Sequence, residues 1–214
     1  MTSSASLEDS ALMAENRKRT AELGMWIFLA SEALLFGGLF LAYFVYRYSF
    51  PQAFAAGVRE NDLILGTINT IILMLSALFM TLGILAAEND NKKSSLSCLI
   101  MTAFLGLTFL GIKSLEYSHK FQHHLYPGGV FMPEKNWPVG ERIFFGLYFV
   151  MTGVHALHLL VGIGILAWLI FVLSHKPRVR DSTVWLYTFG LYWHYIDLIW
   201  IFLFPSLYLL GRFG

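Results

Sequence analysis

Residues 143–173 read IFFGLYFVMTGVHALHLLVGIGILAWLIFVL, thirty-one positions without one Asp, Glu, Lys or Arg. A helix rises ~1.5 Å per residue and the hydrocarbon core of a bilayer is ~30 Å thick, so about 20 apolar residues suffice to cross it. This stretch exceeds that need, and four more meet it: Gly24–Tyr46, Leu63–Ala87, Leu96–Leu115 and Val184–Leu210. The two longest runs can tilt or extend past the membrane. Pro205, inside the last of them, kinks or ends its regular hydrogen bonding. No period of 20–50 residues repeats, and no Ser- or Pro-rich linker divides the chain. The expected fold is an all-α membrane protein: a single five-transmembrane-helix bundle over residues 24–214, preceded by a polar tail at residues 1–23.

Composition agrees. Of 214 residues 57% are hydrophobic and 14% charged, with a mean hydropathy of +0.60. Soluble domains carry nearly twice that share of charge, and disordered chains are poor in apolar residues. A net charge of +1 leaves no basic surface for nucleic acid. The one cysteine, Cys98, excludes an intrachain disulfide and any multi-cysteine metal or iron–sulfur site. Cys98 also lies in an apolar span, away from the polar settings that activate a thiolate. No Gly-rich phosphate loop and no nucleophile elbow appears.

The tail (Glu8, Asp9, Glu15, Arg17, Lys18, Arg19) leads into an apolar run too long for a cleaved signal peptide, so the first span is expected to stay. Orientation follows Lys and Arg in the connections. Eight lie on the N-terminal side of the membrane: Arg17, Lys18, Arg19, Lys92, Lys93, Lys176, Arg178 and Arg180. Six lie on the other: Arg47, Arg59, Lys120, Lys135, Arg142 and Arg212. The excess, concentrated in the short loops, places the N-terminus in the cytoplasm and the C-terminus outside.

The spans carry Glu32, Lys113, Glu116, His155, His158, His194 and Asp197. An ionisable group at mid-membrane costs ~2.5–3.5 kcal/mol on insertion scales, so each needs an interior partner. His155 and His158 are one turn apart on span four, and His194 and Asp197 repeat the spacing on span five. A short loop joins these antiparallel spans, so the four groups are expected at one helix–helix seam. Two readings of that seam exist. Histidines on different helices, His158 and His194, could ligate a haem axially, or imidazoles with a carboxylate could hold a metal. Alternatively the groups form a hydrogen-bonded network that fastens helices together. Trp185, Tyr187, Phe189, Tyr192, Trp193, Tyr195 and Trp200 crowd span five, which favours the network over a macrocycle.

Glu32 stands apart, with only Ser31 beside it and the small pair Ala33/Gly37, where another helix or a lipid chain can approach. It is either a hydrogen-bonded structural carboxyl or a proton-handling one. The third loop holds His119, His123 and His124 near Pro127, Gly128 and Gly129. His119 and His123 could share a metal if the helix continues, but a solvated interfacial loop is the expected state. His175 is a lone juxtamembrane residue.

Five strings, in order, carry a family resemblance: Trp26-Ile27-Phe28-Leu29-Ala30-Ser31-Glu32, Asn69-Thr70, Leu115-Glu116-Tyr117, Thr152-Gly153-Val154-His155-Ala156-Leu157-His158, and Tyr192-Trp193-His194-Tyr195-Ile196-Asp197-Leu198-Ile199-Trp200. On them the chain resembles subunit III of the haem–copper terminal oxidases, the cytochrome c and quinol oxidases, over about residues 20–214. It is similar to the short five-span bacterial form, which implies a cytoplasmic N-terminus in the inner membrane. The resemblance implies a non-catalytic subunit without haem, copper or other metal of its own, in a proton-pumping oxidase of aerobic respiratory electron transport. Haem and copper are then expected on subunits I and II. It implies direct packing on subunit I, association with subunit II and a small subunit IV, bound phospholipid, and membership of a larger respiratory supercomplex. By position Glu32 looks like the family's intramembrane carboxyl near a lipid cleft, and Glu116, His155, His158, His194 and Asp197 match its interhelical polar residues. Lys113 departs from a Gln or Glu usual there, and at i,i+3 it can pair with Glu116. An accessory protein of nitric oxide reductases shares the five-span pattern, and an autonomous b-type membrane cytochrome remains the alternative of another class.

Overall fold

The computed structural model describes residues 2–122, 138–179 and 182–212, and these are helical with short connections. Six α-helices follow in order: α1 (Thr2–Ser49), α2 (Pro51–Arg59), α3 (Leu63–Glu88), α4 (Lys92–Gln122), α5 (Val139–His175) and α6 (Thr183–Phe204), then a π-helical turn at Pro205–Leu209.

Local chemistry sets the boundaries. Pro51 closes α1 and opens α2 at its first position, where a missing N–H costs nothing. Asp62 caps α3 by accepting from the Ile64 and Leu65 amides at 2.9 and 3.2 Å. The α3–α4 hairpin turns on Asp90, at φ 53°, a left-handed conformation that Asp tolerates. Pro177 follows the end of α5, after Lys176 has gone extended. Pro205 cannot donate to the α-helical ladder, and the backbone widens: the Leu210 amide bonds Pro205 O at 2.9 Å.

The polar tail expected at residues 1–23 continues into the first span as one helix, the apolar portion of α1 being Glu22–Ser49. That portion, α3, α4 and α5 are long and apolar enough to cross a membrane. This is a multi-pass membrane protein. The fifth run expected from sequence, Val184–Leu210, is present as α6 and the turn, but α6 falls short in hydropathy. Six of its 22 residues are Trp or Tyr, joined by His194 and Asp197.

The reason is its position. α1 packs on α5 and α6, α5 on α4 and α6, α4 on α3, and α3 on α6. The other helices therefore form a horseshoe around α6, open between α1 and α3. Trp193 is fully buried at the centre. A Cβ added at Gly106 of α4 or Gly162 of α5 would lie 3.2 Å from its ring, so those glycines make its seat. Its indole N–H donates to Ser76 Oγ at 3.1 Å, and Ser76 donates to Thr102 O at 3.3 Å, tying α6 to α3 and α4.

Both ends are pinned. At one, Lys92 Nζ donates to Ser174 O and Lys176 O at 2.8 and 2.6 Å, and Asp90 accepts from the Val179 amide. At the other, carbonyls around the π turn accept side-chain donors: Ser206 O from Tyr43, Leu207 O from Asn61 at 2.7 Å, and Leu210 O from Arg47 at 2.8 Å. The carbonyls a helix end leaves without partners are thus met by α1 and the α2–α3 corner.

Candidate functional site

The structure sorts the intramembrane polar residues into separate groups instead of one seam. The first joins α1 and α5: His158 Nε2 lies 2.9 Å from Glu32 Oε2, with Nδ1 2.8 Å from Val154 O. A carbonyl only accepts, so Nδ1 carries a proton. The 2.9 Å separation of Nε2 and Oε2 is that of a hydrogen bond between the two side chains. Both side chains keep a fringe of exposure, 17% for His158 and 15% for Glu32. Phe36 covers the imidazole with ring centroids 5.6 Å apart, and Tyr192 OH donates to His158 O at 2.9 Å. Glu32 therefore finds its compensation on α5, which its own span gave no sign of. The small-residue face beside it is open: a Cβ on Gly37 would meet nothing within 4 Å.

The second group holds Glu116 at the meeting of α4, α5 and the π turn. Lys113 Nζ is 2.9 Å from Glu116 Oε2 and donates to Tyr208 OH at 2.6 Å. Tyr148 and Tyr208 each donate to Glu116 Oε1 at 2.7 Å. The ammonium also sits 4.9 Å from the Trp200 ring and 5.3 Å from the Tyr148 ring, within cation–π reach. Lys113 and Glu116 are each only 4% exposed. A buried ion pair survives when further hydrogen bonds complete it, and the two phenols do so here. One turn on, Lys120 reaches Asn61 Oδ1 at 2.6 Å and lies 4.8 Å from the Tyr148 ring.

The third group lies along α3 and α6. Thr81 Oγ1 and His194 Nε2 are 3.3 Å apart, and Trp200 donates to Thr70 Oγ1 at 3.0 Å. His155 is fully buried between Phe109 and Trp200, ring centroids 5.6 and 5.2 Å away. Neither of its ring nitrogens, nor either oxygen of Asp197, has a hydrogen-bond partner among the described residues.

This corrects the single seam expected of His155, His158, His194 and Asp197; Glu116 lies in a group of its own. α5 and α6 do pack side by side, but α6 is central and turns His194 and Asp197 toward α3. His158 faces α1 instead. A spacing of i,i+3 places two residues on one face of a helix but not against one neighbour. His158 and His194, the residues considered as axial ligands, engage different helices. No set of three His, Cys, Asp or Glu side chains close enough to share a metal occurs among the described residues. His123 and His124 lie outside the described residues; α4 does continue past Leu115, through His119, to Gln122. Tyr148, Tyr208, Thr81 and Asn61 were not anticipated. The phenols gave one faint signal, the Pro205 break that turns Tyr208 back onto α4.

Similarity to known proteins bears on this arrangement. The family model described as cytochrome c oxidase subunit III matches residues 10–212. A cytochrome c oxidase subunit 3 of Thermostichus vulcanus is 33% identical, the match covering 89% of this chain and 88% of that one. A quinol oxidase subunit 3 of Bacillus spizizenii is 29% identical over 90% of this chain and 88% of its own. A protein of Aeropyrum pernix named heme-copper oxidase subunit I+III is 32% identical over 86% of this chain, which spans only 22% of that longer protein.

Proposed function

Because this chain belongs to the cytochrome c oxidase subunit III family, we propose that it is the non-catalytic subunit III of a proton-pumping haem–copper terminal oxidase of the cytochrome c type. In this reading it works in aerobic respiratory electron transport in a bacterial inner membrane. It packs on subunit I, holds phospholipid near Glu32, and sustains proton uptake and turnover, while haem and copper reside on subunits I and II.

The observation that carries the reading is the match over residues 10–212, together with where the motif residues fall. They are spent on holding helices: His158 on Glu32, Glu116 on two tyrosines, Trp193 on Ser76 and Trp200 on Thr70. Both ring nitrogens of His158 are engaged, which supports a structural use over axial ligation. Subunit I as partner is supported by the Aeropyrum relative, whose name joins I and III in one chain.

We further propose five spans, with α6 as the fifth, an N-terminus in the cytoplasm and a C-terminus outside. α6 measures about 33 Å at ~1.5 Å per residue, enough to cross. The orientation rests on the eight Lys and Arg of the N-terminal side against six on the other.

Extraction in mild detergent of the chain tagged at its C-terminus, followed by mass spectrometry of what co-purifies, tests the function. The expected result is a haem–copper subunit I with a copper-binding subunit II. A nitric oxide reductase chain in their place moves the protein to that complex. A chain that emerges alone and carries haem overturns the reading.

A further inference from the structure

At the end of the bundle that carries α2, two guanidinium groups hold the last turn of the chain. Arg47 Nη1 donates to Leu210 O at 2.8 Å, and Arg212 Nη1 donates to Asn61 O at 2.9 Å. Gly211 stands between these contacts at φ 92°, in the left-handed region that favours glycine. A Cβ added there would lie 3.3 Å from Arg47 Nη2, so the backbone next to Arg212 rests against the Arg47 guanidinium. Tyr43, one turn before Arg47, is fully buried and donates to Ser206 O; Asn61 is buried as well. Both arginines are half-buried, held by carbonyls on one side and open on the other.

This pair has no counter-charge. A guanidinium offers five N–H donors, and each arginine spends one on its carbonyl. Neither is ion-paired with a carboxylate among the described residues, and Asp62, next to Asn61, is spent on the Ile64 and Leu65 amides. Depth places the pair among headgroups. The 22 residues of α6 rise about 33 Å, as much as the ~30 Å hydrocarbon core, and Arg212 lies beyond them. Arg47 is two residues from the end of α1, beside the exposed Tyr46 and Tyr48, at the level where interfacial aromatic residues gather. Glu32 is fifteen residues earlier on α1, about 22 Å away along the axis and beyond the ~15 Å depth of one leaflet. A headgroup at Arg47 is therefore separate from the lipid position proposed beside Glu32.

We propose that Arg47 and Arg212 form a binding site for the phosphate of a phospholipid in the leaflet on the α2 side. The phosphate oxygens accept from the N–H groups that the two carbonyls leave unused, in charge-assisted bonds whose planar fork suits phosphate. The negative diester supplies the charge that the protein withholds from this pair. Because both guanidiniums also carry the C-terminal turn, the bound headgroup braces the closure of this end of the bundle. The site needs nothing from the function proposed above and stands or falls separately from it.

The test is a lipid titration of the protein purified with its accompanying chains and washed in detergent. Native mass spectrometry counts bound dioleoylphosphatidylglycerol in the parent, in Arg47→Gln/Arg212→Gln, and in Arg142→Gln, which removes an exposed arginine at the same end. Glutamine keeps a donor for each carbonyl and removes the charge. The double variant is expected to bind its tightest lipid about tenfold or more weakly than the parent, and Arg142→Gln to match the parent. No loss in the double variant, or equal losses in both, overturns the site. Inorganic phosphate in large excess is expected to leave the bound lipid in place; displacement makes a free anion the occupant and overturns the lipid. If the double variant does not accumulate, the parent decides, with a phosphatidylglycerol that carries a photoreactive diazirine in its headgroup. Adducts within residues 43–50 and 206–212 are expected. Adducts only elsewhere, on this chain or on an accompanying one, overturn the proposal.

Discussion

Lys113 and Glu116 form an ion pair in the low-dielectric interior of a membrane protein, where taking charge from water costs most. Breaking such a pair leaves one group uncompensated, which typically costs about 3–5 kcal/mol, whereas replacing both by apolar residues is often near neutral. We expect Glu116→Leu to lower the melting temperature in detergent strongly, because Lys113 then keeps only the Tyr208 and Tyr148 hydroxyls. Lys113→Met/Glu116→Leu should recover most of the loss, since Tyr148 and Tyr208, 3.5 Å apart, can bond each other. Equal losses in the single and double variants would show that the charges are not coupled. Glu32 asks for a different experiment. Glu32→Ala frees His158 Nε2 at a partly exposed site, so assembly should persist while the period of sustained oxidase turnover shortens. Unchanged activity through prolonged turnover counts against a role in proton uptake. At this scale the sequence showed which residues needed partners but not what those partners were. Lys113 and Glu116 sit one turn apart and could be paired by spacing. Glu32 and His158 are 126 positions apart, and nothing local announces their contact.

Among the elements, α6 shows what a pattern of apolar residues can and cannot convey. The five apolar runs were legible because membrane thickness imposes a length, and the helices cover all five. Their neighbours were harder to read, because lipid and protein interior are alike in polarity and no amphipathic stripe marks the inner face. The aromatic richness of α6 was visible as crowding; its physical meaning is that this helix is flanked by protein everywhere but on the side open between α1 and α3, with Tyr192, Trp193 and Trp200 buried. Glycine supplies the contrast that tests this. A Cβ at Gly162 would lie 3.2 Å from both the Tyr192 and Trp193 rings, whereas one at Gly164 meets nothing within 4 Å. Fused aromatic rings held by a hydrogen bond yield poorly, so Gly162→Ala should cost about 1–3 kcal/mol, as overpacking does. Gly164→Ala should be neutral or slightly stabilising, by up to ~1 kcal/mol from helix propensity. Comparable melting temperatures for the two variants would mean that Trp193 is not seated on α5 as described.

For the molecule as a whole, the arrangement of charge follows from how its two ends are closed. Lys92 holds the end of α5, and Asp90 holds the segment after it, so the α3–α4 and α5–α6 connections share one end and gather Lys92, Lys93, Lys176 and Arg178 there. The opposite end is closed by α2, whose Phe54, Gly57 and Val58 are buried while Pro51, Gln52 and Arg59 face outward. Positive charge in short loops is retained on the cytoplasmic side, which is the ground for the proposed orientation with the lysine-rich end inward and α2 outward. Two single-cysteine variants made in a Cys98→Ser background, Gln52→Cys on α2 and Lys93→Cys at the start of α4, read this out; both positions are exposed. In intact spheroplasts a membrane-impermeant maleimide should label the cysteine at position 52 and spare the one at 93, and permeabilisation should expose the second. The reverse pattern would invert the bundle, place the C-terminus inside, and separate this chain's topology from the short five-span form it resembles. Labelling of both before permeabilisation would mean that the two connections do not lie on opposite faces, and would remove α3, the helix between them, from the set of membrane-crossing helices.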